Sequence, residues 1–150
     1  MEAEESRMAE ASRPTRLALV VKSDTFEDIL LALSWAGIAA ESEMDVCLFF
    51  TNRAARRLHR DGFADIAQPA PNDPVGALFI DRAEQLGFTD LRDLLRQVKA
   101  TGRVRIYVCS RGARIFDLRP DTLLPEVDSV LGTATFLLNE ARNADILLTI

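Results

Sequence analysis

With 150 residues, 48% of them hydrophobic and 27% charged, the chain has the size and apolar content of one domain around one core, which excludes a disordered polypeptide. Its net charge of -5 argues against a dedicated nucleic-acid binder, whose domain is normally basic, so no direct nucleic-acid partner is expected. No apolar run approaches the roughly 18 residues that span a bilayer, and the acidic start Met1-Glu2-Ala3-Glu4-Glu5-Ser6 lacks the apolar stretch of a secretory signal, so the expected setting is the cytoplasm, with no membrane partner.

Residues 1–14 are charged, poor in large apolar side chains and stop at Pro14, which reads as a flexible or loosely docked arm ahead of a domain over 15–150. Leu17-Ala18-Leu19-Val20-Val21 is a continuous apolar run, too short for an ordinary helix and typical of a strand buried on both faces. Ser23 or Asp24 is placed to cap the next helix, with Glu27 completing the pattern. From Phe26 to about Ala40, Phe26, Ile29, Leu30, Leu33, Ala36 and Gly37 recur at helical spacing. Val46-Cys47-Leu48-Phe49-Phe50 repeats the strand signature, and Thr51 or Asn52 opens a second helix ending near Gly62.

The stretch from Gly62 to Asp90 holds Pro69, Pro71, Pro74 and three glycines, and it is too long for bare loop in a compact domain. A short helix is expected within it, on a surface excursion able to act as a lid. Leu91, Leu94, Leu95 and Val98 mark a further helix ended by Gly102, and Val104-Arg105-Ile106-Tyr107-Val108 is a strand that leads into Cys109. A short helical turn, a weak strand near Glu126 to Val130, a helix from Thr133 to Arg142 and a last strand from Asp145 to Ile150 complete the chain. Alternation of strand and helix predicts an α/β fold, a mostly parallel sheet of about five strands with helices on both faces.

In such a sheet, ligands bind beyond the carboxyl ends of the strands. Three of those ends carry polar residues: Lys22-Ser23-Asp24-Thr25, Thr51-Asn52-Arg53 and Cys109-Ser110-Arg111-Gly112-Ala113-Arg114. Only the third offers a nucleophile. One residue past its strand, Cys109 is expected near solvent, with the N–H groups of a helical turn and the guanidiniums of Arg111 and Arg114 favouring its thiolate. The bland alternative is a buried cysteine closing a strand.

Cys47, inside an apolar strand without a nearby cation, reads as core, and strand rise separates the two sulfurs by roughly 10 Å or more, too far for a disulfide. His59, the one histidine, and the spaced Arg53, Arg56, Arg57 and Arg60 read as a solvated helix face. The chain has no GxGxxG after its first strand, no Walker loop, no histidine pair and no Cys-x-x-Cys, so neither a nucleotide, a metal nor another cofactor is expected. A phosphatase loop needs arginine six positions after its cysteine, where this chain has Ile115. The run Cys109 to Arg114 is similar to the loop of rhodanese-type sulfurtransferases, but the start of the chain has nothing of that fold.

Arg16–Lys22, Asp45–Thr51 and above all Gly102–Ile150 resemble the DsrE/DsrF-like family of sulfur-relay proteins. The likeness is best in Val104-Arg105-Ile106-Tyr107-Val108-Cys109-Ser110, in Ala134-Thr135-Phe136-Leu137 and in Ala144-Asp145-Ile146-Leu147-Leu148. It covers most of the chain from about residue 15 and leaves out parts of 61–88. The resemblance implies a three-layer α/β/α fold, assembly into symmetric homo-oligomers (trimers or hexamers), and a cysteine after the third main strand that carries persulfide sulfur. Cys109 occupies that place, although Arg-Gly-Ala-Arg comes after Cys109-Ser110 where smaller or more apolar residues are the family's pattern.

The expected function is therefore a sulfur carrier or sulfurtransferase with Cys109 as nucleophile. Ser110, Arg111, Gly112, Arg114 and Lys22 would surround the carried sulfur, and donor and acceptor proteins or small persulfides would be the partners. The rival expectation is a non-enzymatic oligomeric binding module without thiol chemistry, and a redox sensor ranks last for want of a resolving cysteine.

Overall fold

The computed structural model of the chain describes residues 1–11 and 13–150, residues 9–11 by their backbone alone. Within the N-terminal arm Glu2–Ala11 forms a helix, α1, and its described side chains from Glu2 to Met8 are all exposed.

Strand β1 (Arg16–Val21) sends Leu17, Leu19 and Val21 into a large core and Ala18 into a smaller one on the other face, which is why the run is apolar throughout. Helix α2 (Phe26–Glu41) buries Phe26, Ile29, Ala32, Leu33, Ala36, Ala39 and Ala40. Its cap is Thr25, whose hydroxyl accepts from the Asp28 N–H at 3.2 Å, and neither Ser23 nor Asp24. The Asp24 carboxylate is occupied elsewhere, accepting from Arg56 Nε at 2.6 Å.

After β2 (Asp45–Phe50) comes a 3-10 helix, Asn52–Leu58, shorter than the helix expected to Gly62. Its successor His59 forms an isolated antiparallel bridge with Leu123, and the Arg60 N–H donates to the Thr122 carbonyl at 2.7 Å, which draws the backbone out of helical geometry. The proline-rich stretch does contain a helix, α3 (Pro74–Gln85), with proline in the first turn and Asp73 capping the Gly76 N–H at 3.0 Å. Helix α4 (Leu91–Ala100), capped by Asp90, buries Leu91, Leu95 and Val98.

Strand β3 (Val104–Cys109) runs directly into a short helix, α5 (Ser110–Ile115). The weak strand is β4 (Ser129–Leu131), three residues later than expected, because Asp128 spends its carboxylate on the Ile106 N–H (2.7 Å) and the Lys99 ammonium before strand pairing begins. Helix α6 (Thr133–Thr135) continues as a π-helix, Phe136–Ala141, and β5 (Ile146–Thr149) completes the sheet.

The strands lie in the order β4-β3-β2-β1-β5 and every neighbouring pair is parallel. Helices α2, α3, α4 and α5 supply Ile29, Ala83, Leu95 and Ala113 to the large core on the first face. The second face carries Ala18, Cys47, Phe49 and Cys109, covered by Phe136 of the π-helix. The fold is thus the three-layer α/β/α arrangement, with one face far better covered than the other. Asp145 ties β5 to the start of β1, its Oδ2 accepting from the Thr15 and Arg16 N–H groups at 2.8 and 2.9 Å. Among the described residues no helix is long and apolar enough to cross a membrane.

Candidate functional site

Alternation decides which side chains share the second face. Val21 pairs with Phe50, Phe50 with Val108, and Cys109 with Leu131, so the next row across the strand ends is Lys22, Thr51, Cys109 and Leu131. The chain leaves β3 toward the first face, where Ala113 joins the large core, and leaves β4 toward the second, where Phe136 joins the small one. Cys109 therefore stands where adjacent strands send their connections to opposite sides, the crevice in which open parallel sheets bind ligands.

The sulfur is enclosed. Cys109 is 1% exposed, not near solvent as expected. Two things cause this: β3 extends one residue further than the apolar run suggested, and the segment after β4 folds back, bringing the Thr133 Oγ1 to 3.9 Å from Cys109 Sγ. Phe136 holds that segment down by stacking on Phe49, with ring centroids 4.1 Å apart and planes 4° from parallel.

Burial alone pushes the Cys109 thiol up, yet its pKa is lowered. The Gly112 N–H, the Thr51 hydroxyl, the Arg111 N–H and the Thr133 hydroxyl act on the sulfur together and outweigh the burial. Cys109 occupies the N-cap position of α5 without closing a capping hydrogen bond, so these donors remain available to an anion at Sγ. Cys47 is the opposite case. Burial first, then the Glu140 carboxylate, pushes its thiol up to about 12. Cys47 pairs with Arg105, four residues before Cys109, and both cysteines are free thiols.

Of the other expected site residues, Ser110 is half-buried in the first turn of α5. Gly112 is buried against the 3-10 helix, where an added Cβ would stand 2.7 Å from the Ala55 Cβ, so its smallness lets α5 approach. Arg111 and Arg114 are exposed and make no ion pair among the described residues. Their guanidiniums, unlike the Arg111 backbone N–H, are not among the largest influences on the thiol. Lys22 extends β1, its N–H donating to the Ile150 carbonyl at 2.8 Å while its side chain stays exposed in the same row as Cys109. Thr51 and Thr133 are the donors that sequence reasoning missed. Thr51 becomes visible once β2 is known to lie beside β3, whereas Thr133 carries no local signal.

The arginine face is also different from expectation. Arg57 is 4% exposed, with Nε donating to the Asp24 carbonyl at 2.9 Å and Nη1 to the Gly62 carbonyl and Asp65 Oδ1 at 2.8 and 2.5 Å. Arg53 and Arg56 both pair with the Asp24 carboxylate, at 3.4 and 2.6 Å. These are structural ties that fasten the 3-10 helix to the loop after β1. His59 is partly exposed and its Nδ1 accepts from the Asp61 N–H at 3.0 Å, so it serves a turn and not Cys109. The 61–76 stretch frames a cleft of about 460 Å3 with Asp24, Arg56 and Asp73 in its walls, and Cys109 does not line it. Among the described residues no group of three or more His, Cys, Asp or Glu is placed to hold a metal.

A parallel three-layer α/β/α domain with a single cysteine at its β3/β4 crevice is the class that fold and site define. The family model described as "DsrE/DsrF-like family" matches residues 16–150, and the chain belongs to that family. A solved structure described as a protein of unknown function, MTH1491, from Methanobacterium thermoautotrophicum is similar in fold, with a TM-score of 0.62 at 14% identity over 91% of this chain and 99% of that one. No curated protein matches.

Proposed function

We propose that the chain is a sulfur carrier, or sulfurtransferase, that holds persulfide sulfur on Cys109. The observation supporting this is the place of Cys109, at the β3/β4 crevice and the N-cap of α5 with the Thr133 hydroxyl 3.9 Å from its sulfur, where its pKa is lowered in spite of burial. Membership of a family whose sulfur-relay role gave the initial expectation supports it at the level of the family.

The chemistry is thiol exchange. The Cys109 thiolate attacks the outer sulfur of a donor persulfide, the Cys109–sulfur bond forms as the donor's S–S bond breaks, and the donor leaves as a thiolate. An acceptor thiolate then attacks the same outer sulfur and Cys109 leaves as thiolate, so no external oxidant or reductant is consumed. The backbone N–H groups of Arg111 and Gly112 and the two hydroxyls stabilise the anion at each stage. Ser110, Arg111, Arg114 and Lys22 form the rim that a donor or acceptor protein, or a small persulfide, would meet. The family resemblance adds a homo-oligomer working in the cytoplasm.

A second reading, a binding module without thiol chemistry, is favoured by one observation, the 1% exposure of Cys109. Mass spectrometry after treatment with a persulfide donor separates the two. The carrier gains one sulfur on Cys109 and loses it to an added thiol, whereas an adduct on Cys47 alone, or none in a folded protein, leaves the binding module.

A further inference from the structure

The carboxyl ends of β1 and β2 enclose another pocket, of about 430 Å3, walled by Lys22, Ser23, Asp24, Thr25, Asn52 and Arg53. It offers hydroxyls, an amide and charged groups, and no large apolar side chain. Its floor is fixed. Asp24 is 8% exposed, its carboxylate accepting from Arg56 Nε at 2.6 Å and its carbonyl from the buried Arg57 Nε at 2.9 Å. With Arg56 compensating Asp24, the charge left over in the pocket is positive. Lys22 is exposed and makes no ion pair among the described residues, and Arg53, 74% exposed, reaches Asp24 only at 3.4 Å. Arg111 and Arg114 continue this exposed basic edge to the end of β3, on a chain whose net charge is -5. Such a local field gathers small anions.

The place of the pocket selects among anions. Lys22, Thr51 and Cys109 follow one another in a row across β1, β2 and β3, so at the usual strand spacing Lys22 lies roughly 10 Å from Cys109. An extended peptide covers that distance in about three residues. A carboxylate held between Lys22 and Arg53 therefore lets a thiol compound of tripeptide size lay its sulfur past Thr51 onto Cys109. Enclosure points the same way. At 1% exposure, Cys109 favours a narrow terminal sulfur over a cysteine carried on a folded protein surface.

We infer that the sulfur donor is a low-molecular-weight persulfide bearing carboxylates, seated by Lys22 and Arg53 in the pocket at the ends of β1 and β2. This rests on the sulfur-carrier reading and specifies its donor. The Cys109 thiolate attacks the outer sulfur of the bound R–S–SH, the Cys109 S–S bond forms as the donor's breaks, and R–S⁻ leaves to take a proton from water. The proton of the persulfide travels with the transferred sulfur, so no oxidant or reductant is needed. Lys22 and Arg53 touch the donor's carboxylates and take no part in the exchange itself.

The test compares two donors with the same thiol, glutathione persulfide and the persulfide of glutathione diethyl ester, which lacks the carboxylates. The initial rate of sulfur gain on Cys109 of the full chain is followed by mass spectrometry. The free acid is expected to load Cys109 about tenfold faster than the ester, a preference that shrinks with added salt. Lys22→Ala and Arg53→Ala, both at exposed positions and checked for folding by circular dichroism, are each expected to bring the ratio of the two rates several-fold closer to one. A second readout needs no transfer: unreactive S-methylglutathione should bind the Cys109→Ser chain in calorimetry and bind several-fold more weakly once Lys22→Ala is added. Equal loading by the two donors, or a ratio unmoved in both folded alanine variants, overturns the inference and leaves the carrier reading standing. So does S-methylglutathione that fails to bind. Loading of Cys109 by neither donor overturns the carrier reading and this donor with it.

Discussion

The two cysteines share one face of one sheet and titrate in opposite directions, which makes pH a selective probe. Donors lower the Cys109 thiol below its usual value near 9, while burial and Glu140 raise Cys47 to about 12. Iodoacetamide labelling of Cys109 is therefore expected to rise to a plateau with a midpoint below that of a free cysteine, while Cys47 stays unlabelled in the native state. Thr51→Val and Thr133→Val each remove a donor and should move the Cys109 midpoint up, with a several-fold loss of labelling rate at neutral pH. Unmoved midpoints in both variants would mean that the hydroxyls do not act on the sulfur.

Stability carries the same signs. A thiol whose folded pKa is depressed contributes stability above its unfolded pKa, and loses it as pH falls through the folded value, so Cys109 favours the fold under alkaline conditions. Cys47 does the reverse, because the unfolded chain ionises near pH 9 and the folded one only at about 12. Between those values it is expected to remove up to about 1.4 kcal/mol of stability per pH unit, a loss that Cys47→Ala abolishes in urea titrations run at pH 8 and pH 10.

At the scale of elements, the cover over Cys109 depends on an aromatic stack. Phe136→Ala removes the ring that lies 4.1 Å from Phe49 and should cost about 3–5 kcal/mol in denaturant unfolding. If enough structure survives, the same change frees the segment carrying Thr133, so native-state labelling of Cys109 should speed up while its pH midpoint rises. Faster labelling with no change in midpoint would separate the steric role of this segment from its electrostatic one.

The strands were legible because burial on both faces leaves a continuous apolar run, as in Leu17 to Val21 and Val46 to Phe50. Helix α2 was legible from its period, but its cap was not. Three polar residues stood in a row, and the choice of Thr25 depends on arginines about 30 positions away that engage Asp24. The placement of Cys109 at the end of β3 could be read locally. Its enclosure could not, since the covering residue lies 24 positions further along the chain. For the same reason Arg57 looked like part of a solvated face, because its partners Asp24 and Gly62 meet only in the folded molecule.

Across the whole molecule, Arg57 is the tie between the loop after β1, the 3-10 helix and the 61–66 stretch. Arg57→Ala leaves the Asp24 and Gly62 carbonyls without their donor and should cost about 2–4 kcal/mol, read as a lowered melting temperature. Arg53→Ala is the control: it is 74% exposed at 3.4 Å from Asp24 and is expected to cost less than about 1 kcal/mol. Equal losses in the two variants would contradict the assignment of Arg57 as the structural member. Charge reversal on this helix consequently reports on folding before it reports on any partner.

The junction of Asp145 with Thr15 joins positions 130 residues apart, so seating β5 beside β1 closes a loop that spans nearly the whole chain. Closing so long a loop is slow. The segment that shields the sulfur immediately precedes β5, so it is held at its far end only when β5 is in place. A chain that has not yet seated β5 is therefore expected to expose Cys109 to peroxide, read as faster oxidation of that thiol during refolding than in the folded protein. Damage by oxidants would be set less by the finished protein's exposure than by how long it takes to finish.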